Sequence, residues 1–264
     1  MEQRFYINHR LQKAIDQIKN YPITIVSAPL AFGKRIAVEE AIKQAKEQGI
    51  HVEWLSVHQE ENREYIHEVL DKLNQPIEGE WLYIFDGCNG EKWLEELHML
   101  TWQQQWKKGI HCICIMSSEV SMNSIHLNHW IHTISKEDLE LREKDIINLY
   151  QLHGIKISYQ SAKMLYEYSG GWPGAVMLGI REYFYQKRLV PGFGVNELLE
   201  QEFFQRYSSL EREALCSIYG FKQLTLEQIK ILIGIEEEES ELLFSVIDNN
   251  SFIVYDMVKE VYSV

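Results

Sequence analysis

Residues 27–35 of this chain, Ser-Ala-Pro-Leu-Ala-Phe-Gly-Lys-Arg, are the segment best suited to chemistry. Gly33 and Lys34 match the last glycine and the lysine of the pattern G-x-x-x-x-G-K-[ST], and Ala28 occupies its first glycine position. In that pattern, loop N–H groups and the N-terminus of the next helix surround a phosphate, which the lysine also contacts. The segment therefore predicts a phosphate-binding loop. The alternative is that Gly33-Lys34 begins an ordinary surface helix.

Arg35 stands where the pattern has the serine or threonine whose hydroxyl binds Mg²⁺. A guanidinium has no lone pair to give to a metal, so this side chain cannot be a ligand and repels a nearby cation. Two interpretations stay open. Arg35 contacts phosphate in place of the metal, or it turns outward and has no role.

Asp86 is the second candidate, because it directly follows the apolar run Leu-Tyr-Ile-Phe at 82–85. A carboxylate at the end of a buried strand helps to hold Mg²⁺ in nucleotide-hydrolysing enzymes, and we predict this role for Asp86. The alternative is that Asp86 caps the turn after the strand. The next residue, Gly87, has no side chain with which to orient or activate an attacking water.

Apolar strands that alternate with amphipathic helices must position these residues. Apolar runs predict strands at 23–26, 51–55, 81–85, 112–116 and near 130–134. Helical spacing predicts helices at 8–20, 37–45, near 60–74 and near 91–107. Such alternation favours a parallel sheet covered on both faces, so residues 1–135 are predicted to form an α/β nucleotide-binding domain with a P-loop NTPase sheet.

The second half is predicted to be mainly helical. Amphipathic segments at 146–152, 162–168 and 175–185 predict a helical lid subdomain, residues 136–190, which ends at a cluster of proline and glycine. Residues 191–264 are predicted to form a winged-helix-like module. Its elements are helices near 195–206, 209–219, 225–233 and 238–248, then a hairpin of 252–255 with 260–262.

Composition excludes several classes of function. The net charge of −13 argues against binding of DNA or an anionic membrane by the chain itself, because such binding depends on Lys and Arg. The four cysteines lack the paired spacing of a zinc site and are predicted to be reduced core residues. Apolar runs stay shorter than the roughly 18 residues that span a bilayer. We therefore expect a cytoplasmic protein.

The chain resembles the signal-transduction ATPases typified by the maltose-regulon activator (MalT-like), which stand at the head of large LuxR-type transcription regulators. The likeness rests on Ser27-Ala28-Pro29 with Phe32-Gly33-Lys34, Trp54-Leu55-Ser56-Val57, Phe85-Asp86, Ile115-Met116-Ser117, Leu139-Glu140-Leu141 with Glu143, and Gly171-Trp172-Pro173-Gly174-Ala175. The resemblance implies that Pro173 lies near the adenine of ATP or ADP. A proline in a first helical turn also needs no ligand. The resemblance further implies that DNA binding belongs to a region beyond Val264, where the native chain would continue.

Four departures from the family pattern fall on the predicted site. They are Ala31 for a loop glycine, Arg35 for threonine, Gly87 for an acid, and Ser118 for an arginine. A Cβ at position 31 is costly if the loop there needs a positive φ. Because positioning and charge stabilisation supply most of phosphoryl-transfer catalysis, these departures predict weak or absent hydrolysis.

Together these features predict a nucleotide-binding regulatory switch region of a transcription regulator, which binds ATP or ADP and associates with itself or another protein. The predicted contacts are Ala28, Pro29, Ala31, Phe32, Gly33, Lys34, Arg35, Asp86 and Pro173, with Asp86 as the metal ligand. Two alternatives stay open. One is a competent ATPase in which Asp86 alone holds Mg²⁺, and the other is an interaction scaffold that has lost nucleotide binding.

Overall fold

A computed structural model describes residues 5–56, 79–88, 109–116, 131–189, 194, 208–219, 221, 223–233, 253–256 and 261–263. The chain divides into two compact units, Met1–Ile180 and Arg181–Val264. The helices predicted near 60–74, 91–107, 195–206 and 238–248 lie outside the described residues, as does Ser118. Within the described ranges, no helix is both long and apolar enough to cross a membrane.

A five-stranded parallel sheet forms the centre of the first unit, and all five strands predicted from the sequence are confirmed. The elements in chain order are α1 (His9–Gln17), β1 (Ile23–Ser27), α2 (Lys34–Glu47), β2 (His51–Ser56), β3 (Trp81–Asp86), β4 (Ile110–Met116) and β5 (Ile131–Ile134). The strands lie in the order β2-β3-β4-β1-β5, so β1 is flanked by β4 and β5.

The inner strands are apolar along most of their length because helices cover both faces of a parallel sheet. Every residue of β1 is buried, and β3 and β4 are buried from their second or third residue onward. The register pairs Ser27 with Met116 and Asp86 with Ile115. The carboxyl ends of β1, β3 and β4 therefore meet at one edge of the sheet, where the segment after β1 and Asp86 lie near each other.

Helices follow the sheet, as predicted. They are α3 (Lys136–Leu139), α4 (Glu143–Leu152), α5 (Tyr159–Ser169) and α6 (Pro173–Gln186). The single turn α3 was not predicted, because four residues are too few to show helical periodicity. It is fixed instead by a capping box, in which Ser135 and Asp138 exchange side-chain and backbone hydrogen bonds.

The second unit contains α7 (Ser209–Tyr219), β6 (Gln223–Thr225), α8 (Leu226–Ile233), β7 (Val254–Asp256) and β8 (Val261–Ser263). Its three strands form an antiparallel sheet in the order β6-β8-β7. The two helices and the β7–β8 hairpin were predicted, whereas β6 was missed because three residues carry too little alternation. Thr225 and Gln228 form a reciprocal cap at 2.9 and 3.3 Å that begins α8 directly after β6.

Candidate functional site

The predicted phosphate-binding loop connects β1 to α2 at the carboxyl edge of the sheet. β1 ends at Ser27, α2 begins at Lys34, and Gly33 caps the helix with a left-handed φ of +85°. Ala31 also has a positive φ, +58°. This agrees with the expectation that the loop suits glycine at position 31, and alanine there carries a strain of about 1–2 kcal/mol. The loop thus keeps a positive φ at position 31 despite the substitution.

The Lys34 side chain folds back over this loop. Its Nζ donates hydrogen bonds to the carbonyl oxygens of Ala28 at 2.5 Å and Pro29 at 2.9 Å. Burial lowers the pKa of Lys34 from 10.5 to about 8, while the nearby Asp86 raises this pKa and Arg35 lowers it. The ammonium is therefore charged near neutral pH but poorly solvated, and a polyanion in the loop would stabilise it.

Arg35 pairs with Asp86, an arrangement that neither sequence-based interpretation of Arg35 included. Its Nε and Nη2 both donate to the Oδ2 of Asp86, at 3.0 and 2.8 Å. The Asp86 side chain is only 10% exposed, whereas that of Arg35 is 69% exposed. The guanidinium is thus anchored at the buried carboxylate and extends from it toward solvent.

The residues at this position do not fit Mg²⁺, which prefers six oxygen ligands in an octahedral arrangement. Position 35 offers no hydroxyl, and the nearest carboxylate oxygen already accepts two hydrogen bonds from a permanent cation. Across the described part of the chain, no group of three His, Cys, Asp or Glu side chains is placed to hold a metal ion. A metal at Asp86 would have to share the carboxylate with the Arg35 guanidinium, whose positive charge opposes it.

Gly87 has a structural reason to be glycine. Its φ is +94°, and its N–H and that of Cys88 both donate to the carbonyl oxygen of Ile115, at 3.1 and 3.0 Å. An acidic side chain at this position would carry the strain of the left-handed backbone. The turn that ties β3 to β4 therefore disfavours a water-activating acid next to Asp86.

The first turn of α6 is bonded directly to the phosphate-binding loop. Trp172 Nε1 donates to the Leu30 carbonyl at 2.9 Å, and the Gly174 N–H donates to the Ala31 carbonyl at 3.0 Å. A Cβ on Gly174 would lie 2.7 Å from that of Ala31. Pro173, the first residue of α6, has no N–H to satisfy, so the Trp-Pro-Gly sequence suits a helix that begins against another backbone.

Gly171 positions this Trp-Pro-Gly turn. Its carbonyl accepts from the Leu141 N–H at 2.9 Å, and its φ is +76°. A Cβ on Gly171 would lie 2.7 Å from the Leu141 carbonyl oxygen. Only glycine therefore permits this close approach, which fixes Trp172 in its buried position beneath the loop.

A mainly apolar cavity of about 260 Å³ adjoins the loop. Its lining includes Tyr6, Ala31, Phe32, Gly33, Leu141 and Pro173. Three loop residues and Pro173 thus line the same cavity. Another, larger cavity of the first unit, about 380 Å³, is lined by the C-terminal parts of α1 and α2 with Leu82 and His111, which lie at or near the amino ends of β3 and β4. That cavity contains none of the predicted site residues.

The N-terminal wall of the smaller cavity, residues 5–7, was not predicted as part of a site. Asn8 holds it in place: Asn8 caps α1 through Leu11 N–H at 2.8 Å, and its amide donates to the Asp138 and Glu140 carbonyls at 2.8 and 3.2 Å. Asn148 also donates to the Tyr6 hydroxyl at 2.9 Å. The only sequence signal was the helix-capping asparagine three residues before Leu11.

The structure brings the predicted site residues to one edge of the sheet. Ala28 and Pro29 hold Lys34 through their carbonyls, Arg35 pairs with Asp86, and Ala31, Phe32, Gly33 and Pro173 line the apolar cavity. Lys136 extends the positive charge of this region, with its Nζ 5.9 Å from the centre of the Phe32 ring. The result is a cationic loop beside an apolar cavity.

The sequence matches no protein-family profile and no curated protein. A solved structure resembles the whole chain: a Walker-type ATPase of Pyrococcus abyssi, with a TM-score of 0.64 and 13% identity over 100% of this chain and 96% of its own. This chain has a P-loop NTPase fold. The replication initiator DnaA bound to AMPPCP and single-stranded DNA aligns less well, with a TM-score of 0.47 and 12% identity over 92% of this chain and 90% of its own. At these identities the likeness concerns the fold alone.

Proposed function

We propose that this chain binds ATP or ADP and acts as a regulatory switch region with weak or absent hydrolysis. One observation carries the proposal: Ala31, Phe32 and Gly33 belong both to the predicted phosphate-binding loop and to the wall of an apolar cavity. A nucleotide needs such a pair of neighbouring environments, because its phosphates are anionic and its base is flat and largely apolar on both faces. Small-molecule sites commonly combine an apolar pocket with a few placed polar groups.

Each part of the nucleotide has residues to hold it in this proposal. Lys34 and the N–H groups at the start of α2 would contact the phosphates, and Arg35 would add a second positive charge. The base would occupy the cavity against Pro173. A bound nucleotide would add negative charge beside Lys34, whose Nζ otherwise donates to the carbonyl oxygens of Ala28 and Pro29. The hydrogen bonds from Trp172 and Gly174 to the loop then make the start of α6 sensitive to occupancy.

Weak hydrolysis follows from the same residues. Gly87 offers no acid to activate water, and Arg35 occupies the carboxylate that an ordinary site gives to Mg²⁺. Phosphoryl transfer depends on groups that position the water and neutralise charge, so their loss slows it by orders of magnitude. A competent ATPase would instead release phosphate in a magnesium-dependent way, and Lys34→Met would abolish that release.

Titration calorimetry with ADP and ATP tests the binding proposal. Wild type should bind, and Lys34→Met should weaken binding at least about tenfold by removing a charge-assisted contact worth roughly 1.5–3 kcal/mol. Met177→Trp should also weaken it, because Met177 lines the cavity. Lys43→Met is the matched control, since Lys43 is exposed on the same helix. Undetectable binding by wild type would support the scaffold alternative.

We further propose that the chain is the switch end of a MalT-like, LuxR-type regulator in the cytoplasm. Its parts are a nucleotide-binding domain, 1–135, a helical lid, 136–190, and a winged-helix-like module, 191–264. The order helix, strand, helix and hairpin in the second unit supports the last of these. The proposed partner is another copy of the chain or a second protein, and neither DNA nor a membrane is proposed to bind residues 1–264.

A nucleotide can shift the balance between the separate and the associated forms of the chain only if it binds the two forms with different affinities. Light scattering after size-exclusion chromatography, with and without ADP or ATP, tests the association. A mass that does not respond to nucleotide would contradict the switch. Fluorescence anisotropy with duplex DNA tests the module, and tight binding by this acidic chain would contradict its assigned role.

A further inference from the structure

Arg35 makes a contact that an ordinary phosphate-binding loop does not need. Two of its nitrogens converge on one Asp86 oxygen at 2.8 and 3.0 Å, and the carboxylate is nearly buried. Charge-assisted hydrogen bonds of this length are among the strongest in proteins. A guanidinium has five N–H donors, and with 69% of the side chain exposed the group keeps donors on its solvent side.

The ion pair of Arg35 with Asp86 makes the electrostatic environment unfavourable for a metal ion. An ordinary site presents a hydroxyl and a carboxylate to Mg²⁺, both of them oxygen ligands. Here the metal would meet a permanent cation at the hydroxyl position and a carboxylate whose Oδ2 already accepts two hydrogen bonds from that cation. Lys34 adds another positive charge, and it lies close enough to Arg35 and Asp86 for both to affect its pKa. The local field therefore favours an anion and disfavours a divalent cation.

Resting on the proposed function, we infer that Arg35 replaces the metal and that the ligand of this site is a metal-free nucleoside di- or triphosphate. The Arg35 guanidinium supplies part of the charge that Mg²⁺ gives to the phosphates elsewhere. Magnesium then becomes a competitor, because it withdraws free nucleotide into a complex that the loop does not accept. Arg35 is in this way a specificity-determining residue that discriminates between free and magnesium-bound nucleotide.

The test is calorimetry of the full chain with ADP and with ATP, in EDTA and in excess Mg²⁺. Wild type should bind in EDTA, and its apparent dissociation constant should rise in excess Mg²⁺ in inverse proportion to the remaining free nucleotide, about tenfold when one tenth stays free. Tighter binding with Mg²⁺ than with EDTA would overturn the inference while leaving the proposed function intact. Absence of binding in both buffers would overturn both.

Arg35→Thr supplies the reverse test, since it restores a hydroxyl and frees Asp86. This variant should bind more tightly with Mg²⁺ than with EDTA, and the double variant Arg35→Thr with Asp86→Asn should lose that gain. Arg35→Lys keeps the charge and should keep the wild-type response. Lys43→Thr on the same helix is the surface control. Circular dichroism and thermal unfolding verify that each variant is folded. An Arg35→Thr protein that is folded, binds nucleotide and still responds to Mg²⁺ as wild type does would refute the role of Arg35.

Discussion

Lys34→Met should change how the stability of the nucleotide-free protein depends on pH. The pKa of Lys34 is about 8 in the folded chain, against 10.5 for an exposed lysine. At pH values between these two pKa values, Lys34 still carries its proton in the unfolded chain but has lost it in the folded chain. The free energy of unfolding therefore rises with pH in this range. Below pH 8 both states are protonated, and the charged side chain is a constant cost to the fold.

The shift gives the magnitude. A difference of about 2.5 pKa units corresponds to roughly 3 kcal/mol at 1.36 kcal/mol per unit, and solvent screening at this half-buried side chain reduces it to about 2 kcal/mol. Lys34→Met lacks this contribution. Its free energy of unfolding, subtracted from that of wild type, should therefore leave a difference that increases from about pH 8 to pH 10 in favour of wild type.

Urea unfolding, followed by circular dichroism at several pH values from about 7.5 to 9.5, measures that difference. The subtraction removes the other groups that titrate in this range, because both proteins contain them. Lys43→Met should give a difference that is flat with pH, since Lys43 is exposed and its ion pair with Glu40 is long, at 3.7 Å. A flat curve for Lys34→Met as well, or one that falls with pH, would refute the burial of a charged Lys34 over the loop.

Three further substitutions test the packing of the first unit by urea unfolding. Ala31→Gly should raise the free energy of unfolding by up to about 1 kcal/mol, because relief of the positive φ exceeds the entropy that glycine adds to the unfolded chain; a decrease would contradict the strain. Gly171→Ala should lower it by about 1–3 kcal/mol, since its Cβ meets the Leu141 carbonyl, and should also weaken nucleotide binding measured by calorimetry. Tyr150→Phe should raise it by about 1 kcal/mol, because the buried hydroxyl has no hydrogen-bond partner among the described residues; a loss would indicate an unrecognised partner.

The sheet could be predicted because its signal is local. Apolar runs such as 23–26 and 82–85 identify buried strands without reference to the rest of the chain, and their alternation with helices indicates parallel pairing. The strand order is different in kind. The strand order depends on which face of the sheet each helical connection crosses, and no short segment of the sequence contains that information.

The site was only partly predictable for a related reason. The loop motif is continuous in the sequence, so Lys34 and its neighbours were identified directly. The Arg35 and Asp86 pair joins residues 51 positions apart, and they come together only because the folded sheet brings the start of α2 and the end of β3 to the same edge. Residues 5–7 lie far in sequence from the loop and from Pro173, which line the same cavity, and their apolar side chains look like those of any other core.

The hydrogen bond from Gly174 to Ala31 has a consequence for how the loop can change over evolution. A side chain on either residue enters the same small volume, since a Cβ at 174 would lie 2.7 Å from the one already present at 31. The contact has room for one methyl group, and this chain places it on the loop, where it strains the backbone. Moving the methyl to the helix would relax the loop and give α6 a better helix former. Positions 31 and 174 are therefore expected to vary together among related sequences, with a side chain at only one of the two.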